Sequence, residues 1–117
     1  MSAPVVQWQM VATNADELVK FYGEMFGWTV SSKNVLGYRQ VSTGDGSIAG
    51  GMWPSPPDGN SFVQLFVGVP DVDKAAARAV ELGGTIIVPP TTLPDGDTMA
   101  VLKDPCGITF GVMRYPS

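Results

Sequence analysis

A chain of 117 residues, 44% hydrophobic and 15% charged, reads as one globular domain that buries roughly two thirds of its unfolded surface, and not as a disordered segment. Its net charge of −4, with seven basic residues scattered singly, argues against a nucleic-acid partner, because no Lys/Arg cluster is there to displace phosphate counterions. No apolar run approaches the roughly 20 residues that span a bilayer, no basic and then apolar leader opens the sequence, and the one cysteine, Cys106, has no internal partner; the expected compartment is a reducing cytoplasm, away from membranes.

The first predicted element is a strand over residues 4–12, in which Val5, Gln7, Gln9 and Val11 alternate with the bulkier Val6, Trp8, Met10 and Ala12. The second set is the one expected to meet a helix. Asn14, with Glu17 three residues on, is an N-terminal cap, and Leu18, Phe21, Tyr22 and Met25 then form an apolar stripe at i, i+3, i+4 and i+7. Gly27 ends that helix. Short strands follow at Trp28-Thr29-Val30, Tyr38 to Ser42 and Ser47 to Trp53, with a turn at Lys33-Asn34 and a hairpin at Asp45-Gly46.

The segment 54–60, with three prolines, reads as a stiff linker. Beyond it the plan repeats. Phe62 to Gly68 is a strand carrying Gln64 where the first carries Gln7, and Asp71 caps a helix with Val72, Ala75, Ala76, Ala79 and Leu82 on its inner face. Gly83-Gly84 ends it, Thr85 to Val88 is a strand, residues 89–97 form a proline-rich loop, and Thr98 to Lys103 pairs with Gly107 to Met113 as a hairpin. Gly50 and Gly111 correspond in this alignment, as do Met52 and Met113. The expected class is α+β: two tandem βαβββ modules, 4–53 and 61–115, forming a curved mixed sheet around a cleft, with the helices on the outer face. Such clefts are the default place for a ligand.

These motifs carry a resemblance. Asn14 to Tyr22 with Phe26-Gly27-Trp28, Val69-Pro70-Asp71-Val72-Asp73 with Leu82-Gly83-Gly84, and Asp104-Pro105-Cys106-Gly107-Ile108-Thr109-Phe110, in that order, resemble the vicinal oxygen chelate superfamily of glyoxalase I, bleomycin-resistance proteins and extradiol dioxygenases. The resemblance implies paired modules around a U-shaped cleft, a homodimer, and in many relatives a divalent metal held by the first and last strands of each module. Carried over, the first-strand ligands fall on Gln7 and Gln64 and the last-strand ligands on Gly50 and Gly111. There is no histidine anywhere in the chain. Two neutral amides and two glycines make a poor set for ions that favour imidazole, thiolate or carboxylate, so no metal and no other cofactor is expected.

What remains is a site for a small organic molecule. Gln7, Gln9 and Gln64 are placed on the cleft face, with Met52, Phe66 and Met113 as an apolar wall, and Tyr38, Gln40 and Trp53 as polar and aromatic contacts able to stack on a planar ligand. No catalytic residue is identified. Cys106 has no histidine to act as its base, and all eleven Asp and Glu residues fall on helices, turns or loops.

Overall fold

The computed structural model describes residues 2–32, 37–55 and 59–116; the Lys33-Asn34 turn and the middle of the linker, Pro56 to Asp58, lie outside them. The described residues form ten elements: β1 (Val5–Ala12), α1 (Ala15–Phe26), β2 (Thr29–Val30), β3 (Arg39–Ser42), β4 (Gly50–Pro54), β5 (Phe62–Val69), α2 (Val72–Glu81), β6 (Thr85–Thr92), β7 (Thr98–Lys103) and β8 (Thr109–Arg114). The class is α+β, and each half has the βαβββ order. The chain divides into two compact units, Gln7–Gln64 and a second made of the residues through Val6 together with Leu65 onward.

In the N-terminal unit the strand order is β2-β3-β4-β1. β1 and β4 run parallel, with Trp8 opposite Gly50 and Gln9 opposite Gly51, while β3 pairs antiparallel to β4. α1 begins where the Asn14 side chain accepts the Glu17 backbone N–H at 3.1 Å, and ends where Gly27 turns left-handed at φ 71°. Such a cap contributes about 1 kcal/mol. The helix turns inward on Ala15, Leu18, Val19 and Tyr22. Phe21 and Met25, expected on that stripe, are 59% and 63% exposed. The aromatic residues of the sheet select the buried frame: Tyr22 stacks on Trp28 at 5.2 Å, and Trp28 meets Trp8 at 5.4 Å. Trp8, Met10, Met52 and Val41 therefore face the helix, and the alternate residues form a helix-free face.

The C-terminal unit has the order β5-β8-β7-β6. Its core is Val72 and Ala76 of α2 packed on Ala100, Leu102 and Val112, with Val67, Val69 and Phe110 around them. Full burial of each Leu or Val contributes about 1.5–3 kcal/mol. Asp71 caps α2 by accepting the Lys74 N–H at 3.1 Å. Leu82, expected on the inner face, is at the C-terminal cap and 61% exposed. The proline-rich loop expected from residue 89 is instead the second half of β6, which pairs with β7 as far as Thr92 through two register shifts. β6 is an outer strand of its sheet, where Pro89 and Pro90 interrupt no ladder on the open side.

Candidate functional site

Strand alternation puts Gln7 and Gln9 on the helix-free face of the N-terminal unit, because Trp8 between them is fixed against α1. Across the sheet, Gln9, Gly51 and Gln40 stand in one row, each opposite the next. Tyr38, two residues before Gln40, shares that face. Its ring lies flat over Gly51, where a Cβ would overlap it, and meets Trp53 at a centroid distance of 4.7 Å.

A chain of side-chain amides runs across this face. Gln64, the last residue of the unit and 6% exposed, donates from Nε2 to Gln9 Oε1 at 3.4 Å. Gln9, 4% exposed, donates to Gln7 Oε1 at 3.4 Å, and Gln7 Nε2 donates to Tyr38 Oη. All three amides thus point their donors the same way. The tail of the chain, Gln64 Oε1, is buried and has no partner among the described residues. Leaving such an acceptor unsatisfied costs about 1–3 kcal/mol, so a water or a ligand donor that reaches it would be stabilising.

Beside Gln7 lies a recess of about 340 Å³, lined by Gln7, Thr29, Ser31, Gln40, Ser42 and Ala49 together with the backbone of β4. Thr29, Ser31 and Ser42 were not foreseen from the sequence. The available signal was the opposition of Thr29 to Ser42, which requires the β2–β3 register. Arg39 was also missed: it is 7% exposed on the helix side, paired with Asp16 of α1, and its Nη1 has no partner among the described residues.

Two expectations need correction. Met52 is not on the ligand-facing side: it stands opposite Met10 and Arg39, completely buried under α1. Gly50 likewise shares the face of Trp8, whose ring would collide with any side chain there. The residue on the helix-free face is Gly51. The repeat offset confirms the one-residue slip, since Gly51 lies opposite Gln9 as Gly111 lies opposite Phe66. In the C-terminal unit Phe66, 1% exposed, lays its ring over Gly111, and Met113 stands on the same helix-free face opposite Gly68 and Met99.

The divalent ion implied by the resemblance finds no fitting donors. The last-strand positions, Gly51 and Gly111, are covered by aromatic rings, the first-strand positions are neutral amides, and no group of three or more Cys, Asp or Glu side chains comes together among the described residues. Amide oxygens alone do not offset the dehydration of a transition-metal dication.

The model of the Glyoxalase/Bleomycin resistance protein/Dioxygenase superfamily matches residues 5–112. The chain belongs to that superfamily. Among curated superfamily relatives, it is 32% identical over 111 residues to the Mycobacterium bovis protein named "Putative glyoxylase CFP32", covering 92% of this chain and 42% of that one. The chain thus spans less than half the length of this relative. Of solved structures, a hypothetical protein from Bacillus halodurans superposes with TM-score 0.71 at 13% identity, covering 100% of this chain and 97% of the other. A Streptomyces coelicolor methylmalonyl-CoA epimerase bound to 2-nitronate-propionyl-CoA superposes with TM-score 0.68 at 21% identity, covering 99% and 100%. These superpositions establish the superfamily fold.

Proposed function

We propose that this superfamily member works without a metal ion and holds a small organic molecule on the helix-free face of its N-terminal unit. The contacts there are Gln7, Gln9, Gln40, Tyr38, Trp53 and Gln64. Phe66 and Met113 are proposed as apolar contacts on the helix-free face of the other unit. The observation that carries the reading is the amide chain from Gln64 to Tyr38, with a ring laid over Gly51 where a metal-binding side chain would project. Incubation with Zn²⁺, Ni²⁺, Mn²⁺ or Fe²⁺, dialysis and elemental analysis test the first half; a retained stoichiometric ion refutes it. A thermal-shift screen tests the second, since a ligand bound only by the native state raises the apparent stability. A screen with no hits favours a face filled by its own rings.

A glyoxalase-like lyase or isomerase activity is the second reading, favoured by the name of the mycobacterial relative. Turnover of the methylglyoxal–glutathione adduct above the buffer rate supports it; no turnover with or without added metals removes it.

Three further expectations belong to the same proposal: module boundaries at 53/54 and 60/61, a cytoplasmic location, and a homodimer. No helix among the described residues is long and apolar enough to cross a membrane, and Cys106 is a free thiol, which supports the second. Phe21, Met25 and Phe26, exposed together on α1, support the third. Sedimentation showing only a 12.4 kDa species contradicts it.

A further inference from the structure

The recess beside Gln7 has a composition that selects its occupant. Its polar lining consists of amides and hydroxyls, from Gln7, Gln40, Thr29, Ser31 and Ser42, and among the described residues it includes no ionisable side chain. The cation nearest in sequence, Arg39, points to the other face and is engaged by Asp16. The acidic residues Glu17 and Glu24 lie on α1, and Asp45 lies in the hairpin turn. An ionised ligand entering the recess would shed its hydration without meeting a counter-charge among these side chains, a loss that neutral hydrogen bonds do not make good. The net charge of −4 adds a long-range penalty for anions.

The hydrogen-bond chain then sets what Gln7 can offer the recess. Gln7 uses one lone pair of its carbonyl oxygen on Gln9 and one of its two amide N–H bonds on Tyr38. A carboxamide has two such bonds, so Gln7 keeps one donor for the recess, beside the second lone pair of its oxygen. Ser31 Oγ is already committed, accepting from Gln40 N at 2.9 Å and donating to Ser32 O at 3.3 Å. Gln9 and Gln64, both buried, hold Gln7 in this orientation from behind.

We propose that the recess recognises an uncharged carbonyl compound, an amide, lactam or ketone, whose oxygen accepts the second N–H of Gln7, with Gln9 as a positioning residue. This rests on the small-molecule reading above and assigns its ligand class.

The test uses three compounds of matched shape, benzamide, benzoate and benzylammonium, followed by the side-chain amide resonances of Gln7 and Gln40 in ¹⁵N-labelled protein. Benzamide is expected to shift both resonances and to bind at least about tenfold more tightly than benzoate. Gln7→Glu, which replaces the donor by an anion, is expected to lose benzamide and gain benzylammonium. Gln9→Met is expected to weaken benzamide while the variant still melts cooperatively. Benzoate binding as tightly as benzamide overturns the ligand class and leaves the small-molecule reading standing. If the three compounds leave Gln7 unmoved while other compounds shift Tyr38 or Trp53, the carbonyl assignment fails alone. If nothing in a broad fragment library perturbs this face, both readings fail together.

Discussion

Gly50→Ala separates the two faces of the N-terminal unit by a stability measurement. A methyl at Gly50 would overlap the Trp8 ring, which cannot swing away freely. Its Nε1 donates to Ile48 O at 3.2 Å, and its ring packs on Trp28 at 5.4 Å, which in turn stacks on Tyr22. Overpacking of this kind costs about 1–3 kcal/mol. Loss of the indole hydrogen bond adds about 1 kcal/mol, and a spoiled aromatic pair about 0.5–1.5 kcal/mol. Because these losses share one ring they do not add fully, and the expected destabilisation is about 2–4 kcal/mol. For a domain of this size that lowers Tm by roughly 10 °C. Urea unfolding followed by tryptophan fluorescence gives the first number and calorimetry the second. If the Trp8 ring did not cover Gly50, the substitution would change stability by no more than about 0.5 kcal/mol, as substitutions at open positions do. That result would refute the register on which the site is built.

Asn14→Ala removes the acceptor for the Glu17 N–H and should cost about 1 kcal/mol in urea unfolding. Asp16→Ala strands the buried Arg39 guanidinium and should cost about 1–2 kcal/mol, a value reduced by the exposure of Asp16; Arg39→Met, which removes the buried charge altogether, should be less harmful or stabilising in the same assay. Tyr38→Phe deletes the oxygen that accepts from Gln7 and should cost about 1 kcal/mol while keeping the ring over Gly51; the Gln7 amide resonances should broaden or move.

The parts of this fold that were legible in the sequence are those fixed by neighbours in the chain. The caps at Asn14 and Asp71, the left-handed stop at Gly27 and the turn at Gly107 are set within a few residues, and the repeat of Gln7 at Gln64 exposed the two-unit plan. What was misread depends on pairing across the sheet. Two apolar frames overlap on α1, one through Phe21 and Met25 and one through Ala15 and Val19. Periodicity cannot choose between them; Trp8 and Trp28 do. Gly50 and Gly51 are adjacent and carry no side chain, so alternation alone gives no parity, and Met52 was misplaced with them. Only the opposition of Gln9 to Gly51 resolves it. The rings over Gly51 and Gly111 were illegible for the same reason, since Tyr38 comes from the residue just before β3 and Phe66 from a strand distant in sequence. Of the site, the glutamines could be located early, but their linkage into a directed chain required the folded geometry.

The aromatic lids on Gly51 and Gly111 bear on how such a protein could change its chemistry over generations. A lone Gly51→Glu would drive a carboxylate into the plane of Tyr38, and a lone Gly111→Glu would do the same to Phe66. Each step toward a metal-binding carboxylate at these positions is therefore harmful until a second, compensating replacement thins the overlying ring. Two such coupled pairs, besides new imidazoles at Gln7 and Gln64, would be needed to supply the donors that a transition-metal dication favours, so no single substitution supplies them. The same coupling gives an engineer the order of work: shrink the ring first, then install the acid.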